Sequence, residues 1–303
     1  MPAGSLGSLN LSAYAGVGGS VEVLSLDKTI THGEEPGIAA NTIATANVSE
    51  EVTVSPLPAQ FTVASGKKVG FSRGNLVATI NESGAPTVWK FARHQYDYLG
   101  AGGANLTIGT AAGDVDLFCW STNATNNNWG IFPKKVKEDI EGYTSGSFVD
   151  WGVNIEDGKT WRTLSQSEWY YLFKSRSNTA NLYQINVTVC GKPACVVVAP
   201  DQCLNGYTFQ KSKTAYDETE WAEAEAAGLV CLPCAGYCYK KDASTDEQVV
   251  NVGTYAIYYS STVYNGGLNK NAYTVQFNPT AFSADVSTYR NYGCSVRLVT
   301  DAN

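Results

Sequence analysis

Apolar and polar positions change over in short runs along most of this chain, and only two stretches repeat with a helical period. Phe61-Thr-Val-Ala-Ser65 alternates as a half-buried strand does. Val69-Gly-Phe-Ser72 and Leu76-Val-Ala-Thr-Ile80 follow as strands, with Gly74-Asn75 expected as the turn between them. Ser165-Gln-Ser-Glu168 has the spacing of a capping box, in which hydroxyl and carboxylate satisfy orphan N–H groups, and Trp169, Leu172 and Phe173 repeat behind it. A second helix is expected from Thr219 through Glu-Trp-Ala-Glu-Ala-Glu-Ala-Ala to a stop at Gly228. Beyond Asn251 the text predicts short strands at Tyr255–Ser260, Tyr273–Phe277 and Ser295–Val299, separated by long polar loops. The expected class is α+β, with few helices, many short strands and much loop.

The first twenty residues are rich in Gly, Ser and Ala and predict a flexible or partner-dependent arm. From 21 to 58 the pieces Val21-Glu-Val-Leu, Thr42-Ile-Ala-Thr and Glu51-Val-Thr-Val read as strands of a small β-rich attachment or oligomerisation region. Residues 59–303 form the main domain. The opening residues lack the positive and apolar parts of a secretory signal. The expectation is a trimmed chain, or a protein that reaches the exterior without secretion, as a virion component does.

Composition narrows the function. Of 303 residues only 16% are charged, while 44% are hydrophobic and 12% aromatic, with 29 Gly and 18 Tyr. A net charge of −7 argues against nucleic acid, whose phosphates need clustered Lys and Arg. No apolar stretch approaches the ~18 residues of a membrane span.

The candidate chemistry is sparse. Cys231-x-x-Cys234-x-x-x-Cys238 and Cys190-x4-Cys195 have spacings that zinc could use, but Cys231 stands in an apolar run and no His is near. Free core thiols are the expectation, ahead of a disulfide such as Cys190–Cys195 and of a metal. His94 with Asp97 could act as a general base, yet no nucleophile motif accompanies them, and a structural, hydrogen-bonded His is expected. Asp114, Asp116, Asp150, Glu156 and Asp157 lack the single-loop spacing of a calcium site. The Asn-rich stretch Asn123–Trp129 reads as a surface loop. Between Ile257 and Tyr292, large framework residues alternate irregularly with Tyr, Gln, Asn, Thr and Ser. That is how a paratope reads, because tyrosine supplies amphipathic area with few torsions to freeze and small polar residues supply adaptable hydrogen bonds.

Several segments, in order over residues 60–300, resemble one family. They are Phe61-Thr-Val-Ala-Ser-Gly-Lys-Lys-Val-Gly-Phe-Ser-Arg-Gly-Asn-Leu76, Trp89-Lys-Phe-Ala-Arg-His-Gln-Tyr-Asp-Tyr98, Asp116-Leu-Phe-Cys-Trp120 and Asp150-Trp-Gly152. Trp161-Arg-Thr-Leu-Ser-Gln-Ser-Glu-Trp169, Trp221-Ala-Glu-Ala-Glu-Ala-Ala-Gly228 and Leu232-Pro-Cys-Ala-Gly-Tyr237 continue it, with Tyr258-Tyr-Ser-Ser-Thr262 and Arg290-Asn-Tyr-Gly-Cys-Ser-Val-Arg-Leu-Val299 at the end. The chain resembles the variable proteins of diversity-generating retroelements in Bacteroidetes and their phages. The resemblance implies a C-type-lectin fold of the formylglycine-generating-enzyme-like kind, and a C-terminal repeat rewritten at template adenines while framework codons survive.

On that resemblance, the diversified, ligand-binding positions between 257 and 294 are Ile257, Val263, Tyr264, Thr274, Gln276, Asn278, Thr280, Ser283, Asp285, Ser287, Thr288, Tyr289, Asn291 and Tyr292, with Cys294 at the margin. Tyr259 joins them because it replaces the framework Trp of the family pattern. Arg290, Gly293, Arg297 and Leu298 match the constant scaffold. The resemblance implies display of these positions on one face, no catalysis, and no cofactor or metal. It implies a receptor on the bacterial surface, either protein or glycan. The reading is a phage fibre component on the virion surface, a homo-oligomer with a trimer favoured, joined to other virion proteins through its N-terminal region. A bacterial cell-surface adhesin of the same family is the alternative. A formylglycine-generating-type oxidase is a further one, although no copper-binding cysteine pair aligns.

Overall fold

The computed structural model describes residues 56–123, 129–131, 146–177, 181–241, 246–264 and 270–302, and two short strands before them. Those two, β1 (Leu11–Tyr14) and β2 (Val23–Leu26), pair antiparallel. The strand expected from Val21 thus starts two residues later, while Thr42–Thr45 and Glu51–Val54 lie outside the described residues.

The main domain begins with β3 (Phe61–Ala64) and β4 (Lys67–Phe71), a hairpin turned at Gly66. β5 (Leu76–Ile80), β6 (Pro86–Phe91) and β7 (Gly113–Val115) make a separate sheet in the order β6-β5-β7. The expected turn at Gly74-Asn75 is therefore a crossing between sheets and not a hairpin. Gly74 passes so close to Ala92 that a Cβ there would lie 2.4 Å from the Ala92 carbonyl oxygen.

After β8 (Trp161–Thr163) comes α1 (Gln166–Tyr170), opened by the expected capping box of Ser165 and Glu168. It does not continue as an α-helix through Phe173. Tyr171–Ser175 widens into a π-turn, which carries Leu172 and Phe173 into the core. β9 (Tyr183–Val189), β10 (Lys192–Val198), β11 (Ala215–Tyr216) and β12 (Val230–Leu232) form the sheet β11-β9-β10-β12, in which only the β11–β9 pair is parallel. α2 (Glu218–Ala226) packs beside it. Its cap is Asp217, which makes a second capping box with Glu220, so the helix starts one residue before Thr219, and Gly228 ends it at a φ of 93°.

β13 (Tyr237–Lys240) and β14 (Glu247–Val250) are a hairpin. β15 (Ala256–Val263), β16 (Asn271–Phe277) and β17 (Phe282–Tyr289) form an antiparallel sheet. β17 stands where a polar loop was expected. Its alternation is hidden by register shifts between Thr274 and Gln276 and by a polar residue at nearly every outward position. β18 (Leu298–Asp301) starts three residues later than expected and inserts between β4 and β8, giving the order β3-β4-β18-β8. The two ends of the domain are therefore hydrogen-bonded to each other.

The β15–β16–β17 sheet is covered on both sides. One core gathers Phe61, Phe71, Trp169, Phe173, Tyr258, Val275 and Phe277. The other gathers Leu76, Phe118, Trp120, Trp151, Trp161, Ile257, Tyr259 and Leu298. Each such side chain contributes about 1.5–3 kcal/mol on burial, so the sheet is held as a rigid slab. The described residues make an α+β, mostly β domain of small sheets with two short helices. Among them no helix is long and apolar enough to cross a membrane.

Candidate ligand-binding face

The rigid slab decides where each expected contact residue goes. Ile257, Tyr259, Thr274, Thr288 and Asn291 are buried, at 8% exposure or less. Gln276, Asn278, Ser283, Val263, Tyr264, Ser287, Tyr289 and Tyr292 are half-buried, and Thr280 and Asp285 are exposed. They do not share one face. Thr274 pairs with Val286 and Tyr273 with Ser287, and neighbours along a strand point to opposite sides. Ser287 thus stands on the side opposite Thr274 and Gln276. There it accepts from Asn271 Nδ2 at 3.1 Å, and Asp285 accepts from Gln166 Nε2 of α1 at 2.9 Å. Asn278 shapes the turn between β16 and β17, where its Oδ1 accepts from the Thr280 and Ala281 amides, each at 2.8 Å. Tyr264 meets Tyr273 edge-on at 5.1 Å.

Tyr259 has a scaffold position. Its ring stacks on Trp151 at 6.3 Å, and its hydroxyl donates to the Tyr289 carbonyl at 2.8 Å with the Tyr292 carbonyl 3.0 Å away. Tyr259 therefore anchors the 289–292 turn from beneath, and burial pushes its phenol well above the ordinary value. Arg290 lies over the Trp120 ring at 4.6 Å, and the Trp120 indole donates to the Ser260 carbonyl at 2.9 Å.

Above this base sits a cluster of tyrosines. Tyr292 is at its centre, with ring centroids 6.0 Å from Tyr237, 5.7 Å from Tyr239 and 5.4 Å from Tyr289. Tyr255 joins through Tyr237 at 6.0 Å, and its hydroxyl donates to Gln276, whose Nε2 donates to Thr274 at 3.0 Å. Backbone pairing fixes the arrangement. Cys238 and Gly293 exchange N–H···O bonds of 2.8 and 2.7 Å, which places Tyr237 and Tyr239, on either side of Cys238, beside Tyr292. All five rings are half-buried. Burial first, and then neighbouring tyrosines, raises Tyr237 and pushes Tyr292 up to about 12, so both hydroxyls stay neutral at any ordinary pH.

Sequence reading placed Gln276, Tyr289 and Tyr292 in the site and missed Tyr237, Tyr239 and Tyr255. The alternation Tyr237-x-Tyr239 ahead of a hairpin was the available signal, but nothing local to it says that Gly293 pairs with Cys238.

The other candidates resolve into structural roles. All eight cysteines carry free thiols, so Cys190 and Cys195 are not bridged. Burial pushes Cys234 up to about 12 and Cys231 well above its ordinary value. Among the described residues no group of three His, Cys, Asp or Glu could hold a metal ion. His94 Nδ1 lies 2.8 Å from Asp97 Oδ2, and its ring stacks on Tyr96 at 5.0 Å. Asp97 lines a cleft of about 430 Å³ with Phe91, Arg93, Tyr98 and Asp114. Asp114 is taken up by Lys90 at 2.8 Å and Thr79 at 2.6 Å. Asp116 is taken up by the Leu99 amide and Asn105, each at 2.7 Å. Asp150 caps the turn at Trp151, and Asp157 accepts from the Trp161 indole at 2.9 Å. Of the Asn-rich stretch, 124–128 lies outside the described residues.

No protein-family model, curated protein or solved structure matches this chain.

Proposed function

We propose that the chain is a hypervariable ligand-binding protein with a C-type-lectin fold of the formylglycine-generating-enzyme-like kind, acting by recognition and not by catalysis. The observation that carries the reading is the tyrosine cluster around Tyr292. Gln276, Tyr289 and Tyr292, three of the positions read as diversified, lie among amphipathic rings over a packed base, which supports the reading. Such rings give large contact area at small entropic cost, as in antibody paratopes. The framework residues of the resemblance support it as well. Arg290 and Arg297 are buried at 2% and 0%, where a substitution would harm folding, whereas Tyr292 is reachable.

The setting proposed is a phage fibre component at the virion surface. The receptor is a bacterial surface protein or glycan, the N-terminal region joins other virion proteins, and copies associate so that weak contacts add. The test is the gene's own neighbourhood. A near-repeat of the 257–294 coding segment is expected beside a reverse transcriptase, differing from it at template adenines in the codons of Gln276, Tyr289 and Tyr292. The codons of Arg290 and Gly293 are expected unchanged. Differences spread without regard to adenine overturn the reading.

A further inference from the structure

The tyrosine cluster is built from two stretches of chain with different standing. Tyr289 and Tyr292 belong to the segment read above as replaceable. Tyr237 and Tyr239 come from β13, and Tyr255 precedes β15, so all three lie outside it. We infer that Tyr237 and Tyr239 are a fixed anchor in the ligand-binding face and that the ligand they hold is a neutral saccharide. The inference rests on the ligand-binding reading and adds to it an invariant half and a ligand class.

Geometry comes first. Tyr237 and Tyr292 are nearly parallel, 13° apart, and Tyr239 is tilted by 36° to Tyr237 and 47° to Tyr292. The three rings pack against one another as one half-buried platform. Cys238, between the two anchor tyrosines, is fully buried and its backbone is tied to Gly293, so the platform cannot slide when the residue at 292 is exchanged. Any ligand docked through 289 and 292 must also cover 237 and 239.

Chemistry then selects the ligand. None of the six side chains, Tyr237, Tyr239, Tyr255, Tyr289, Tyr292 and Gln276, carries a charge. Among the described residues, no hydrogen bond engages the hydroxyls of Tyr237, Tyr239 and Tyr292, so each offers a donor and an acceptor to a ligand. A partner must therefore present C–H surface to the exposed parts of the rings and neutral hydroxyls to theirs, with no ion to desolvate. A pyranose does both.

The experiment applies full-length protein to an array of immobilised neutral and anionic oligosaccharides and, in parallel, to immobilised outer-envelope protein of the bacterial host. Tyr237→Phe, Tyr239→Phe, Tyr239→Ala and Tyr292→Ser accompany the wild type, each first shown to melt as a folded domain. The expected result is binding to neutral saccharides. Tyr239→Ala should lose at least about tenfold in affinity and the Phe variants about three- to tenfold, the size of one hydrogen bond. Tyr292→Ser should change which saccharide is preferred. Saccharide binding that survives Tyr239→Ala and both Phe variants overturns the anchor. Binding confined to envelope protein overturns the saccharide class but leaves the ligand-binding reading standing. Binding to neither probe overturns both.

Discussion

Arg297 Nη2 donates to Gln95 Oε1 at 2.7 Å, and neither side chain touches solvent. Gln95 Oε1 also accepts from the Cys231 amide at 2.9 Å, and its Nε2 donates to Glu225 Oε1 at 2.9 Å and to the Leu229 carbonyl at 3.0 Å. One amide thus joins the segment leading into β18, the start of β12 and the end of α2. It also separates a buried guanidinium from a buried carboxylate. Burial lowers Arg297 to about 10, leaving it charged at neutral pH, and raises Glu225.

Replacing Gln95 by Leu keeps the volume and removes every one of these bonds. Glu225 and the Cys231 amide then lose this partner, and Arg297 keeps only the longer bond to Asn75 Oδ1 at 3.4 Å. The expected loss is about 3–5 kcal/mol, the range for breaking a buried ionic network. Urea unfolding measures it. A cost below about 1 kcal/mol would mean that water reaches the site and replaces the amide.

Tyr259→Phe tests the base of the proposed ligand-binding face. The ring stays on Trp151, and the hydroxyl's bonds to the Tyr289 and Tyr292 carbonyls and to the Cys294 side chain are lost. A buried hydrogen bond of this kind contributes about 1–2 kcal/mol, so a fall in stability of that size is expected in denaturant unfolding. Ligand affinity should fall with it, because the 289–292 turn loses its tie. Unchanged affinity alongside the stability loss would show that the turn is held by Arg290 and the Cys238–Gly293 pairing alone.

That residue also shows where sequence reading stops. The capping box of Ser165 and Glu168 was legible because all its partners lie within four residues, as was the helix stop at Gly228. Leu76–Ile80 was legible as a strand, but its sheet was not, because whether it pairs with β4 or with β6 is decided by long-range packing. β17 was missed for a related reason. Sheet contacts on one side and Gln166 on the other hold a strand whose own text is polar. The burial of Tyr259, and the approach of Tyr237 and Tyr239 to Tyr292, depend on pairings across more than thirty and fifty residues. No local pattern encodes these.

The acid limit of stability should be set largely by Glu168. Its carboxylate takes two bonds from Arg162, at 2.8 and 2.9 Å, one from Lys67 at 2.8 Å and one from the Ser165 amide at 2.8 Å. Burial opposes the charge, but these donors outweigh it and hold the pKa at about 2, below the ordinary 4.5. A depressed carboxylate stabilises the fold above its unfolded pKa, and that contribution is lost as pH falls from about 4.5 to about 2. Glu225 and Asp150 act in the opposite sense. Their raised values mean that stability declines as pH rises from their ordinary range through the folded pKa. Wild-type protein should therefore lose on the order of 2–3 kcal/mol through Glu168 between pH 4.5 and 2. Glu168→Gln should be less stable at pH 7 and show a flatter acid limb in unfolding at a series of pH values. A limb of unchanged slope would assign the acid dependence to other groups.

Gly228 and Gly191 separate two reasons for a glycine. Both have left-handed backbone, with φ of 93° and 80°. At Gly191, in the turn between β9 and β10, a Cβ meets nothing within 4 Å. At Gly228, where α2 ends, it would lie 2.1 Å from the Ala59 Cβ, which sits at 3% exposure and cannot withdraw without moving the chain before β3. Gly191→Ala should therefore cost only the conformational penalty, about 1–2 kcal/mol. Gly228→Ala adds a steric clash to the same penalty and should cost upwards of about 3 kcal/mol, since overpacking of a rigid site adds about 1–3 kcal/mol. Thermal melts of the two variants, side by side, measure the difference. Equal costs would mean that the segment around Ala59 yields freely, and that the entry to β3 is not fixed by the end of α2.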